Sequence, residues 1–205
     1  DTWKSRGLGD VYKRQSLGYP GDFGIGIFGR IRHSKGIDIL VDAGIKVLPN
    51  YPQATIIICG ECMPKDYKYK QKMMDKIKDA KLEERILFIG KQSFDELPKI
   101  FQGMKVVAAL SRNEGYGLTP LEGMASGAAV ITSEEGAWKE IIRNNIDGFC
   151  IPTDNLELTE LKLEELISNN DKTREMGLNA NRNIAENYSI ENEARKIIEF
   201  AENIN

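Results

Sequence analysis

Two carboxylates and a cluster of cations carry the chemistry this sequence offers. Glu114 and Glu122 stand in the stretch SRNEGYGLTPLE, which runs from Ser111 to Glu122. Arg30, Arg32, His33 and Lys35 crowd the stretch GRIRHSKG, from Gly29 to Gly36. A carboxylate accepts hydrogen bonds from paired sugar hydroxyls. A guanidinium bonds two phosphate oxygens at once, and an ammonium adds a point charge. Basic side chains ahead of a helix oppose its dipole unless an anion is present, and the helix end itself attracts one. Together these groups fit a ligand with a phosphate middle and hydroxyl-rich ends, a nucleotide sugar.

The flanking residues say how such groups are positioned. Residues 106–110 are small and apolar and predict a buried strand, while 121–125 repeat with a helical period. Thr119 is predicted to cap that helix with Pro120 in its first turn. Glu122 then falls at the third helical position, as a capping box requires. Capping alone leaves Glu114, Gly115 and Gly117 without a role.

Residues 23–28 predict the strand that delivers the basic loop, and 37–48 the helix after it. Further strands are expected over 54–60, 86–90, 128–132 and 149–151. Helices are expected over 67–80, with Met73, Met74 and Ile77 turned to the core, and over 94–101, 138–142, 156–168, 172–186 and 190–201. Gly127 is placed to end the helix that starts at Thr119. Short β/α units of this kind predict an α/β fold, a doubly wound, Rossmann-like parallel sheet of about six strands with helices on both faces. Loops at the carboxyl ends of such strands share one edge, where open sheets bind ligands. Arg30, Lys35, Glu114 and Glu122 are thereby expected on that edge, with the backbone N–H groups of Leu118 and Thr119 free to donate at the helix start.

Composition excludes several classes. Lys plus Arg number 28 against 31 Asp plus Glu, a formal charge of -3, which does not suggest a nucleic-acid partner. No apolar run reaches the roughly 18 residues of a membrane-spanning helix, and no secretory pattern opens the chain. Cys59, Cys62 and Cys150 cannot build a disulfide framework and suit a reducing compartment. Cys59-Gly60-Glu61-Cys62 has redox spacing, yet Pro64, Lys65 and Asp66 prolong the loop where a redox helix would start. Those cysteines and the single histidine, His33, give no zinc spacing. His33 reads as a loop residue, and Trp3 and Trp138 as packing groups. Gly24, Gly26 and Gly29 match G-x-G-x-x-G but lie within the apolar segment, so the dinucleotide-dependent oxidoreductase reading is secondary, resting on Glu61 after the second strand.

Gly29-Arg30 followed by Lys35-Gly36, with Glu114 and Glu122 in an E-x7-E arrangement, resembles the carboxyl-terminal, donor-binding domain of the retaining GT-B glycosyltransferases of family GT4. The wording IGIFGRIRHSKGIDILVDA and SRNEGYGLTPLEGMASG resembles bacterial lipopolysaccharide-core mannosyltransferases. The resemblance implies one half of a GT-B fold, with residues 1–22 as lead-in or interdomain linker carrying a short helix over 11–17. Residues 23–189 would form the nucleotide-sugar domain, and 190–205 a terminal helix packing toward an amino-terminal domain that is missing here. A chain starting at Asp1 is accordingly expected to be a piece of a longer protein, binding nucleotide without turnover by itself.

The resemblance also assigns roles. Arg30 and Lys35 would bind the diphosphate and stabilise charge on the leaving nucleotide, with Glu114 near the transferred sugar. Glu122 would bond the ribose. Gly29, Gly115, Tyr116, Gly117, Leu118 and Thr119 would complete the donor contacts, and Gly90 and Lys91 would border the base. No metal or other cofactor is implied. The donor would be GDP-mannose or, as the second choice, a UDP-sugar. The acceptor would be a glycan or lipid-linked molecule reached through the missing domain, in a cytoplasmic enzyme peripheral to the inner face of a bacterial membrane. Other GT-B synthases that use nucleotide sugars share these features.

Overall fold

The structure is a computed structural model and describes residues 17–202. The short helix expected over 11–17 lies outside these residues except for Leu17, which sits in a turn. Six strands form one sheet: β1 (Phe23–Phe28), β2 (Ala54–Cys59), β3 (Ile86–Gly90), β4 (Val106–Ala109), β5 (Ala129–Ser133) and β6 (Gly148–Ile151). Every strand pair is parallel and the spatial order is β3-β2-β1-β4-β5-β6. The order reverses between β1 and β4, so their carboxyl ends flank the crevice where ligands of such sheets lie. The basic loop follows β1 and the Glu114 loop follows β4. Chain topology therefore brings the two together.

The helices are α1 (Ile37–Val47), α2 (Tyr67–Asp79), α3 (Leu97–Gln102), α4 (Thr119–Ala125), α5 (Trp138–Ile141), α6 (Leu156–Ser168), α7 (Asn170–Asn187) and α8 (Ile190–Glu202). Period-two alternation along the strands divides the core between two faces. Ile25, Ile27, Ile56, Ile58, Val106 and Ala108 pack with α1, α2 and α6. Phe28, Ile57, Val107 and Val130 pack with α3, α4 and α7 on the opposite face. Gly26 belongs to this packing, since a Cβ there would lie 2.4 Å from the ring of Phe28, which stacks on Phe101 at 3.8 Å between centroids.

Four local expectations change. Met74 is exposed while Met73 and Ile77 are buried, because the thirteen-residue helix turns only one narrow stripe to the core. The helix expected from residue 94 starts at Leu97 with Pro98 in its first turn, leaving Phe94 91% exposed. The seventh helix starts at Asn170, two residues early, because the Asn169 side chain accepts from the Lys172 N–H. The fourth concerns the cap of α4 and is taken up with the site. On α8, Ile197, Ile198 and Phe200 stand exposed. Among the described residues no helix is long and apolar enough to cross a membrane.

Candidate functional site

At the end of β1 the Gly29 N–H donates to the carbonyl of Cys59 (2.9 Å), and the Gly60 N–H donates to that of Gly90 (2.9 Å). The ends of three strands are thus stitched before their loops diverge. A short 3-10 turn, His33–Lys35, leads into α1 through Gly36. It carries Lys35 back over the sheet edge toward the loop after β4. There the Lys35 ammonium pairs with the Glu114 carboxylate, with both side chains largely withdrawn from solvent. Ser111 Oγ donates to the same carboxylate (3.3 Å). The pair lines a narrow cleft walled by Ile27, Phe28, Ala109, Thr119 and Trp138.

The Glu114 loop is braced from β5. Ser133 Oγ donates to the Ser111 carbonyl (2.6 Å), and the Ala137 N–H donates to the Gly115 carbonyl (3.2 Å). Trp138 is 1% exposed, and its indole N–H donates to the Gly117 carbonyl (3.1 Å). The sequence reading gives Trp138 a packing role, which it has. Its hydrogen bond to the loop is a second role that no spacing rule announces.

A cavity of about 300 Å³ adjoins the cleft, and the two share Phe28 and Thr119 as walls. Gly29, Arg30, Glu61, Lys91, Gln92 and Glu122 supply its polar lining; Phe94, Leu97 and Phe101 supply an apolar side. Predicted pairs are therefore redistributed. Lys35 goes with Glu114 in the cleft, and Arg30 with Glu122 in the cavity. Gly90, Gly115, Tyr116, Gly117 and Leu118 line neither space, although Tyr116 and Leu118 are exposed on the loop beside them.

The expected capping box does not form. The first helical residue of α4 is Thr119, and Leu118 is the cap, with no side-chain bond. Glu122 is consequently the fourth helical residue, its N–H donating to the Leu118 carbonyl (2.9 Å). Pro120 at the second position has no N–H and so leaves one donor fewer for a cap to satisfy. The Glu122 carboxyl is left facing the cavity. The residue as a whole is open to solvent, yet partial burial of the carboxyl pushes its pKa upward.

Other candidates take their places simply. His33 is exposed, its ring edge-on to Tyr69 at 5.9 Å. Cys59 is buried in β2, and burial pushes its thiol up to about 11, the opposite of what a redox cysteine needs. Among the described residues no three His, Cys, Asp or Glu side chains are grouped to hold a metal ion.

Comparison with known proteins adds a family to this geometry. The family model described as "Glycosyl transferases group 1" matches residues 10–183. The lipopolysaccharide core biosynthesis mannosyltransferase LpcC of Rhizobium leguminosarum bv. viciae is 35% identical over 89% of this chain and 51% of its own length. Its counterpart LpsB of Rhizobium meliloti is 30% identical over 88% of this chain and 51% of its length. The chain thus spans about half the length of these relatives. The crystal structure of the C-terminal domain of a glycosyl transferase group 1 family protein (LpcC) from Francisella tularensis superposes with a TM-score of 0.82. It is 34% identical, over 88% of this chain and 93% of that domain. Anabaena Alr3699/HepE, solved in complex with UDP, superposes with a TM-score of 0.84 at 26% identity, covering 95% of this chain and 53% of that one. A sheet of order 3-2-1-4-5-6, a basic loop and a glutamate loop at its switch point, and a family match over most of its length place this chain in the glycosyl transferases group 1 family.

Proposed function

We propose that this chain is the donor-binding half of a retaining glycosyltransferase that moves a hexose, mannose in the first instance, from a nucleoside-diphosphate sugar to a glycan or lipid-linked acceptor. One observation carries the reading: the Lys35–Glu114 pair adjoins a cavity that holds both Arg30 and Glu122. The diphosphate would lie where cleft and cavity meet, with Arg30 on one side and Lys35 on the other. Glu114 would face the sugar and Glu122 the ribose hydroxyls. Charge grows on the leaving diphosphate as the glycosidic bond breaks, and these two cations would stabilise that charge more than they stabilise the ground state. The N–H groups of Leu118 and Thr119, which as first residues of a helix lack intrahelical acceptors, would add to the same oxygens. Lys91 in the cavity lining, after Gly90, would border the base. Tyr116 and the glycines beside it would border the sugar.

The relatives' names support a mannosyl donor, hence GDP-mannose, and the UDP complex of the Anabaena protein supports a nucleoside diphosphate in this fold. The acceptor would be met through an amino-terminal domain preceding residues 1–22, with 23–189 as the donor domain and 190–205 returning toward that partner. We assign the full-length enzyme to the cytoplasmic face of a membrane that carries its lipid-linked acceptor.

Titration calorimetry of the wild-type chain with GDP, UDP, ADP and their sugars tests this. A nucleoside diphosphate should bind, and Lys35→Ala should weaken it by roughly tenfold or more, the effect of one charge-assisted hydrogen bond. Glu122→Ala should weaken ribonucleotides without changing the affinity for inorganic pyrophosphate. NADH binding with no nucleoside-diphosphate binding would sink the proposal.

A further inference from the structure

Arg112 lies two residues before Glu114, is largely buried, and takes no part in either cleft. Its contacts reach two other loops and the first turn of α1. Nη1 and Nη2 donate to Asp38 Oδ1 and Oδ2 at 2.8 and 2.9 Å, a two-toothed pair with the first turn of α1. Nη1 also donates to the carbonyl of His33 at 2.6 Å, and the Arg112 backbone N–H donates to the carbonyl of Ser34 at 2.9 Å. Nε pairs with Asp154 Oδ1 at 2.6 Å, in the loop after β6. Asp38 is fixed in turn by Tyr69, whose hydroxyl donates to Oδ1 at 2.7 Å and accepts from the Asp38 N–H at 3.0 Å.

We infer that Arg112 is a positioning residue that binds the loops after β1, β4 and β6 into one rigid rim and so sets Lys35 opposite Glu114. It rests on the function proposed above for what the rim serves, and on these contacts for how it is built. The carbonyls of His33 and Ser34 immediately precede Lys35, so the guanidinium and its own backbone hold the lysine's turn from two points. Because Arg112 and Glu114 share a loop, the same contacts locate the carboxylate. A lysine cannot substitute: a guanidinium offers five donors in a fixed plane, and here one edge meets Asp38 while Nε meets Asp154. Asp154 itself holds a left-handed backbone, φ +60°, as it reaches the guanidinium. Asp154 is 55% exposed, so its ion pair contributes little to global stability and the effect expected from losing it is on geometry.

The test compares wild type, Arg112→Met, Arg112→Lys and Asp154→Ala, with and without Lys35→Ala. Two readouts are used: titration with UDP and GDP, and amide hydrogen exchange. The rim predicts faster exchange over residues 31–36 and 113–118 in Arg112→Met, with β1, β4 and β5 unchanged. Nucleoside-diphosphate binding should weaken about tenfold with Lys35 present and less than twofold in the Lys35→Ala background, because Arg112 acts through Lys35. Arg112→Lys should not restore affinity. Should Arg112→Met fail to fold, Asp154→Ala decides, with a smaller loss in the same direction and the same dependence on Lys35. Equal losses in both Lys35 backgrounds, full rescue by lysine, or unchanged exchange in the two loops would overturn the inference. If the wild type binds no nucleoside diphosphate the function reading falls, and the exchange data still decide whether the rim exists.

Discussion

Gly36→Ala isolates the contact that seats the basic loop on the sheet edge. Gly36 has φ +63°, and a Cβ built there would lie 1.9 Å from the carbonyl oxygen of Leu110, the residue that follows β4. Contacts under 3.0 Å are essentially never made by a real Cβ, and the obstacle is backbone rather than a flexible side chain, so one of the two segments must move. The left-handed conformation costs an alanine about 1–2 kcal/mol. Forcing backbone apart in a packed region adds about 1–3 kcal/mol. A total near 3 kcal/mol lowers Tm by roughly 10 °C in a chain of this size. Gly127→Ala supplies the control, for Gly127 also has a positive φ, +84°, but a Cβ there meets nothing within 4 Å. That variant should lose only about 1 kcal/mol, roughly 3 °C. Thermal unfolding by circular dichroism, repeated with nucleoside diphosphate present, measures both. Gly36→Ala should also lose most of its ligand-dependent stabilisation, because Lys35 is carried away from Glu114, whereas Gly127→Ala should keep it. If Gly36→Ala melts within about 2 °C of Gly127→Ala, the basic loop is not packed on Leu110 and the argument that Lys35 is held there fails.

Trp138→Phe removes the N–H that bonds the Gly117 carbonyl and keeps most of the buried ring, so stability should fall by only about 1 kcal/mol. Affinity for the nucleotide sugar should fall more than affinity for the free nucleotide, as calorimetry with both ligands would show; equal losses would place Gly117 away from the sugar. A pH series tests the ionic character of the Arg112 rim. Burial alone would raise the Asp38 carboxyl, but hydrogen bonds from Arg112 and Tyr69 and the guanidinium charge outweigh it and hold the pKa below the ordinary value. The carboxylate's contribution is then fully present above the unfolded pKa of about 3.9 and is lost as pH falls through the lower folded value. Urea unfolding should show wild type about 1 kcal/mol more stable than Asp38→Asn from neutral pH to about pH 5, with the gap closing in stronger acid. A gap that does not change with pH would mean the Asp38 contact is not ionic.

Strand positions were legible because fully buried parallel strands read as short apolar runs between turn residues, and β1 and β3 fall on the predicted boundaries. The shared edge was legible for a topological reason: strands that are all parallel deliver their loops to one side, whatever the side chains do. Pairing across that edge was not. Lys35 and Glu114 are 79 residues apart, and nothing local distinguishes the partner of Lys35 as Glu114 rather than Glu122. The choice is made by Gly36 resting on the Leu110 carbonyl and by Trp138 under the Glu114 loop, both tertiary contacts. Arg112 shows the same limit more sharply. In sequence it is one more exposed-looking cation in a polar loop, and its partners Asp38 and Asp154 lie in different loops and helices. Helix register also depended on such context, since Thr119 has the chemistry of a cap yet sits one residue inside α4, with Pro120 behind it. That single-residue shift matters to the site. At the third helical position Glu122 would turn back to cap its own helix, and at the fourth it leaves the cap and reaches the cavity that Arg30 lines.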